Sequence, residues 1–165
     1  MIRVGYARNL ARKLVKDLKL SGPPVSEQEA ARLAGLDVIP YDFPPEISGV
    51  LVYSGDIKAI GVNKSHAPVR QRFSIAHELG HFMLRHDNDF FLDFSDPAIS
   101  QLGEEQADNS AEIEANEFAA ELLMPMDMLK QDYKTKRIRD PKELARRYKV
   151  SEQALWIRLL SLKLV

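Results

Sequence analysis

Three residues in one short stretch are of types and at a spacing that can do chemistry. They are His77, Glu78 and His81, set as His-Glu-x-x-His inside Arg72-Phe73-Ser74-Ile75-Ala76-His77-Glu78-Leu79-Gly80-His81-Phe82-Met83-Leu84. On an α-helix, residues four apart differ by about 40° in azimuth and about 6 Å along the axis. His77 and His81 therefore point the same way and can share one metal ion. Glu78 is rotated by roughly 100° from His77, beside the ion without ligating it, where it can take a proton from a metal-bound water. The flanking Phe73, Ile75, Ala76, Leu79, Phe82, Met83 and Leu84 make the helix apolar on several sides, as a buried helix is. Gly80 weakens a helix, and between the two histidines it leaves room for a neighbouring backbone or side chain.

A catalytic zinc takes three protein ligands and keeps one position for water. With no cysteine in the chain, the third ligand must offer nitrogen or oxygen. It is not a third histidine at the spacing of the longer HExxHxxGxxH pattern, because Leu84 and Asp87 hold those places. The acids of Glu112-Ile113-Glu114-Ala115-Asn116-Glu117-Phe118-Ala119-Ala120-Glu121-Leu122-Leu123-Met124-Pro125 remain, with those of the preceding loop. Glu112, Glu114 and Glu117 are the alternatives on this helix, and helical facing favours Glu112. Asn116, one turn later, can hydrogen-bond a ligand histidine and fix its tautomer. Glu114 projects about 200° away from Glu112, and Glu114, Glu117 and Glu121 read as a solvated face. For an oxyanion stabiliser the chain offers His66, His86, Tyr53 and Arg72. Of these, His66 and His86 read as surface or loop-capping residues, and Arg72 as the partner of an acid.

These residues need elements to position them. Leu10, Leu14, Val15 and Leu18 repeat at helical spacing over 5–19, and Ser21-Gly22-Pro23-Pro24 stops that helix. Ser26 and Glu29 form a capping box for a short second helix ending near Gly35. Residues 38–43 read as a strand whose Pro40 argues for an edge or a bulge. Residues 48–53 and 57–62 read as a hairpin about Ser54-Gly55-Asp56. The last strand leads into the His-Glu-x-x-His helix, begun at Ala67 or Pro68 and running to about Arg85. A strand edge beside the site would suit an extended peptide. Residues 86–110 read as a long irregular acidic stretch with no Lys or Arg. It either covers the cleft or is pinned to the core by Phe91 and Phe94. Ala115, Phe118, Ala119 and Leu122 make the next helix amphipathic, and a short helix over 126–134 follows. Asp140 and Ser151 can cap two final helices whose Leu-Ala-x-x-Tyr-x-Val-Ser-x-x-Ala-Leu pattern resembles a helix-turn-helix.

The 165 residues, 45% of them hydrophobic, suit one domain with a small appendage. The reading places the main body at 1–136 and a C-terminal helical segment at 137–165. No apolar run reaches the length of a membrane span, and no signal-peptide pattern opens the chain. With the absence of cysteine, this leads us to expect a soluble, cytoplasmic protein. The net charge of −1 conceals basic ends. Residues 1–22 carry six Lys/Arg against one Asp, and 137–165 carry eight against three acids. Such ends suit nucleic acid or an acidic partner, although solvated helix faces are the ordinary reading.

The pair of motifs, "RFSIAHELGHFML" and some thirty residues later "EIEANEFAAELLMP", resembles the ImmA/IrrE-type metallopeptidases, and "LARRYKVSEQALWIRL" is similar to their helical tail. The resemblance covers roughly residues 30–165. The strands read above make a small antiparallel three-stranded sheet in an α+β fold with a helix-turn-helix-like pair at the C-terminus, and the resemblance implies that the sheet packs on a zincin-type helical core. It implies His77, His81 and Glu112 as Zn2+ ligands and Glu78 as the catalytic base of a gluzincin-like endopeptidase. The expected substrate is a helix-turn-helix repressor or antitoxin of a phage, mobile-element or stress-response system. The competing expectation is a regulator- or DNA-binding module with a vestigial metal site, motivated by the basic helix pair and Arg146 and Arg147.

Overall fold

A computed structural model of the chain describes residues 1–86 and 109–165, together with the backbone of 90–94. Helix α1 (Val4–Asp17) is followed by α2 (Glu27–Leu33), whose N-cap Ser26 accepts from the Glu29 amide. Strands β1 (Asp37–Tyr41), β2 (Ile47–Ser54) and β3 (Ile57–Asn63) come next, with Gly55 at φ +60° turning the β2–β3 hairpin. Helix α3 (Pro68–Met83) carries the His-Glu-x-x-His stretch and has proline at its start. Strand β4 (Phe90–Phe94) and helix α4 (Ser110–Leu123) follow. Helix α5 (Met126–Lys130) runs into a π-helical turn, Gln131–Thr135, before α6 (Pro141–Tyr148) and α7 (Glu152–Ser161).

The α+β class with a small sheet on a helical core is what the sequence led us to expect, but the sheet differs in two ways. It has four strands in the order β1-β3-β2-β4, because Phe90–Phe94, read as irregular, pairs antiparallel with β2. It is mixed rather than antiparallel, because β1 runs parallel to β3 while β2 and β3 are antiparallel. The physical reason lies in the 42–46 connection, which carries the chain past β3 instead of turning back beside β1. The fully buried Asn63 donates its amide to the carbonyls of Phe43, Pro44 and Ile47 at 3.2, 3.2 and 2.9 Å. Its own Oδ1 accepts from the Ser65 amide at 3.0 Å. The Phe43 ring lies so close over Gly61 that a Cβ there would stand 2.9 Å from it. One side chain thus ties the connection to the point where β3 hands over to the α3 approach.

Helix α3 is apolar on several sides because it is enclosed on several sides. It packs on β2 and β3, on α2 and on α4, and every residue from Ser74 to His81 is buried. Gly49 of β2 admits the sheet to the helix here: a Cβ on it would sit 3.5 Å from Ser74 Cβ and 3.6 Å from Glu78 Cγ.

Helix α1 packs on α4 through Ala7, Ala11 and Leu14, and beside that apolar seam runs a ladder of ion pairs. Arg3 meets Glu114 at 2.9 Å, Arg8 meets Glu117 at 2.9 Å and Arg12 meets Glu121 at 3.1 Å. This corrects two expectations. Glu114, Glu117 and Glu121 do not form a solvated face, since Glu114 and Glu121 are buried. The N-terminal arginines are also turned to acids of the same chain rather than outward. Both misreadings have one cause: α4 lies between α3 and α1, so opposite sides of it are covered.

The C-terminal helices are joined to this body by polar contacts. Arg72 of α3 pairs with Glu27 and donates to the Lys149 carbonyl at 3.0 Å and the Tyr148 carbonyl at 3.2 Å, so its expected pairing with an acid holds. Buried Asp132 accepts from Tyr148 Oη and Arg147 Nε, both at 2.8 Å, and meets Lys136 Nζ at 2.9 Å. Burial pushes the Asp132 carboxyl up, but the hydrogen bonds from Arg147, Lys136 and Tyr148 outweigh it and leave its pKa depressed. A depressed folded-state pKa stabilises above the unfolded carboxylate value near 4 and loses that stability as pH falls through the folded value. Asp132→Asn is therefore expected to flatten the fall in urea midpoint below about pH 4, at the cost of a lower midpoint at pH 7. Among the described residues, no helix is long and apolar enough to cross a membrane.

Candidate metal centre

Helices α3 and α4 converge so that the ring nitrogens of His77 and His81 meet the Glu112 carboxylate. The two Nε2 atoms are 3.1 Å apart. Glu112 Oε2 lies 3.2 Å from His77 Nε2, and Oε1 lies 2.9 Å from His81 Nε2. These donors form the one group of metal-ligating side chains found among the described residues. A tetrahedral ion about 2.0–2.1 Å from each donor implies donor–donor separations of about 3.3 Å, so the cluster has the dimensions of three corners of such a site. Both imidazoles have their other nitrogen engaged: His77 Nδ1 with Asn116 Oδ1 at 2.9 Å, and His81 Nδ1 with His86 Nδ1 at 2.8 Å. With Asn116 Oδ1 accepting, His77 carries its hydrogen on Nδ1 and presents the Nε2 lone pair to the cluster. The donor set and the tautomer both suit a divalent cation.

The electrostatics agree. Burial lowers the His81 pKa to about 4, helped by His77 and His86 and opposed by Glu112, so His81 is neutral at pH 7. Burial pushes Glu112 up, but the close approach of the His77 and His81 rings holds it well below the usual carboxylate range. A neutral His81 imidazole and an ionised Glu112 carboxylate are protonation states that a cation requires. Glu78 is wholly buried one residue after His77.

Close helix approach makes the cluster possible. A Cβ on Gly80 would stand 3.1 Å from the Ala115 carbonyl oxygen, 3.2 Å from Ala115 Cα and 3.2 Å from Phe118 Cβ. Gly80→Ala is expected to lose up to about 2 kcal/mol, since overpacking costs about 1–3 kcal/mol while helix propensity returns about 1. Because the obstruction is α4 backbone, the variant should also bind metal more weakly than its urea midpoint alone would suggest, as a chelator titration would show.

The structure brings together His77, His81, Glu112 and Asn116 as their helical facing suggests. It places two others differently. His86 is buried, not a surface residue, and its Nε2 lies 3.0 Å from Glu114 Oε2. Glu114 also receives the Arg3 amide at 2.8 Å and the Arg3 guanidinium at 3.1 and 2.9 Å. Burial pushes the Glu114 carboxyl up, yet the bonds from Arg3 and His86 pull it down to about 2. Neither role shows in helical periodicity, because His86 lies past the helix end. Arg85 at φ +54° turns the chain back, and the His86 amide donates to the His81 carbonyl at 3.2 Å. Tyr53 Oη donates to the His86 carbonyl at 2.7 Å, and His66 Nε2 lies 3.0 Å from the Pro45 carbonyl. The expected cover of the cleft by the acidic stretch, and the side chains of Phe91 and Phe94, lie outside the described residues.

The C-terminal pair has the capping the sequence suggests, with Asp140 accepting from the Lys142 amide and Ser151 from the Ala154 amide. Its second helix, however, presents Trp156, Ile157 and Leu160 to solvent. The one cation of α7, Arg158, is buried against Glu121 and the Met124 carbonyl. Arg147 is bound to Asp132.

An α+β core in which two helices bring two buried histidines and a half-exposed carboxylate together defines a candidate metal-binding protein. The chain belongs to the Peptidase_M78 family, the IrrE N-terminal-like domain, whose sequence pattern matches residues 31–160. It is 32% identical over 124 residues to "Uncharacterized immunity region protein 2" of Bacillus phage phi105, covering 74% of this chain and 70% of that protein. It is 34% identical over 95 residues to "Radiation response metalloprotease IrrE" of Deinococcus deserti, covering 58% of this chain but 32% of that one. A solved Mycobacterium tuberculosis transcriptional regulator shares the fold at 20% identity and a TM-score of 0.60, over 92% of this chain and 46% of that chain.

Proposed function

We propose that this protein is a zinc-dependent endopeptidase that cleaves a helix-turn-helix repressor or antitoxin. The observation that carries the reading is the convergence of His77, His81 and Glu112 within one coordination shell, with wholly buried Glu78 following His77. When bound, zinc would supply a Lewis acid for the scissile carbonyl and lower the pKa of the attacking water. The chain's own residues do the rest. Asn116 holds His77 in the tautomer that keeps its Nε2 available. Glu78 removes a proton from the attacking water and returns it to the leaving amine. Its burial against β2 keeps bulk water from the carboxylate. The immunity-region relative and the metalloprotease relative support a regulator as substrate.

The alternative, a DNA-binding module, finds less support. A recognition helix needs cations or amides toward the duplex, and α7 turns its one arginine inward and Trp156, Ile157 and Leu160 outward. The test is metal content followed by cleavage. The purified chain should hold about one zinc per molecule, and co-expression with a candidate regulator should give cleavage that a chelator abolishes. A folded chain that takes up no zinc would overturn the reading.

A further inference from the structure

The proposed chemistry uses His77, Glu78, His81 and Glu112, and leaves a second buried polar chain behind them unexplained. It runs from His81 Nδ1 to His86 Nδ1 at 2.8 Å, from His86 Nε2 to Glu114 Oε2 at 3.0 Å, and from Glu114 to the amide and guanidinium of Arg3 at 2.8–3.1 Å. His81, His86 and Glu114 are all buried. His86 is held by its backbone as well, through Tyr53 Oη on its carbonyl and its amide on the His81 carbonyl. Neither the spacing of the motif nor the family-matched region accounts for Arg3, which lies before residue 31.

We propose that His86, Glu114 and Arg3 are positioning residues for the metal ligand His81, so that the N-terminal segment supports metal affinity from outside the family domain. This rests on the zinc reading above. Hydrogen-bond direction makes the assignment specific. A ligand histidine that gives Nε2 to the metal carries its hydrogen on Nδ1. His81 Nδ1–H then donates to His86 Nδ1, which must accept. His86 therefore carries its own hydrogen on Nε2 and donates it to Glu114. Glu114, a carboxylate with only acceptors, takes that hydrogen together with those of Arg3. The ring nitrogens of His81 and His86 and the Glu114 carboxylate then have consistent roles, and the ring plane of His81 is fixed from behind as that of His77 is fixed by Asn116. His77 has a neutral amide as its support. His81 has an imidazole backed by a carboxylate and a guanidinium, and such outer partners raise ligand basicity.

The test is zinc affinity of the full chain, measured by competition with a chromogenic chelator, with circular dichroism of each metal-free variant. His86→Leu is expected to weaken zinc binding by about 10- to 100-fold. Glu114→Gln should weaken it less, and the double variant no more than His86→Leu alone, because Glu114 acts through His86. Glu117→Gln, which breaks the neighbouring Arg8 rung of the same helix contact, should leave affinity unchanged. Equal affinity in a folded His86→Leu variant, or an equal loss in Glu117→Gln and Glu114→Gln, would overturn the proposal. If His86→Leu does not fold, nitrogen-15 NMR of the unsubstituted zinc-loaded protein decides. A neutral His86 with its hydrogen on Nε2 supports the chain, and the Nδ1 tautomer overturns it. A parent chain that binds no zinc would instead remove the zinc reading itself.

Discussion

Glu78→Gln is expected to lower the rate of regulator cleavage by about 10²- to 10⁴-fold, the contribution of a positioned general base, while zinc content stays at the parent level. The two halves of that outcome belong together. Glu78 is rotated from His77 about the helix axis and contributes no atom to the three-donor cluster, so its amide should leave the metal in place. The glutamine is of the same size in the same wholly buried place, so the variant should stay folded and its urea midpoint serves as the control. Loss of zinc along with activity would show that Glu78 supports the metal instead of the water. Retained cleavage would remove Glu78 from the chemistry.

Arg158→Met is expected to be the most destabilising of the substitutions considered. Arg158 and Glu121 are 2% and 1% exposed, and Arg158 Nε also donates to the Met124 carbonyl at 3.0 Å. Removing the guanidinium leaves the Glu121 carboxylate with Arg12 at 3.1 Å, itself 41% exposed, and with the Met126 amide at 3.1 Å. Breaking one partner of a buried pair costs about 3–5 kcal/mol. For a chain of this size that corresponds to about 6–20 °C in Tm, readable by calorimetry. Replacing Glu121 by Leu as well should recover much of the loss, since a buried pair is often exchangeable for apolar contact. If the single variant melts with the parent, the Arg158–Glu121 pair contributes nothing measurable to holding the C-terminal helices.

How much of this was legible beforehand divides along the range of the interactions. His77, Glu78 and His81 share a helix, so their spacing alone carries the geometry. Glu112 and Asn116 are one turn apart on a second helix, and facing brought them in together. The hairpin about Gly55 and the caps at Ser26, Asp140 and Ser151 are equally local. His86 was misread because its position depends on Arg85 turning left-handed past the helix end, which no periodicity announces. Glu114 was misread because its partner, Arg3, is 111 residues away. Its burial follows from α1 covering the far side of α4, a tertiary fact. The parallel β1–β3 pairing likewise depends on Asn63 reaching back to Phe43, Pro44 and Ile47 across sixteen to twenty residues. Strand patterning says which residues extend, and is silent on which neighbour they choose.

The arginine ladder of α1 bears on where this molecule can be divided. The family pattern begins at residue 31, and that border invites a recombinant fragment cut there. It would lack Arg3, Arg8 and Arg12 and the Ala7, Ala11 and Leu14 seam, leaving three carboxylates and an apolar strip of α4 facing solvent. Evolutionary bookkeeping and mechanical integrity draw different borders here. The smallest piece of this chain worth expressing starts before its first arginine.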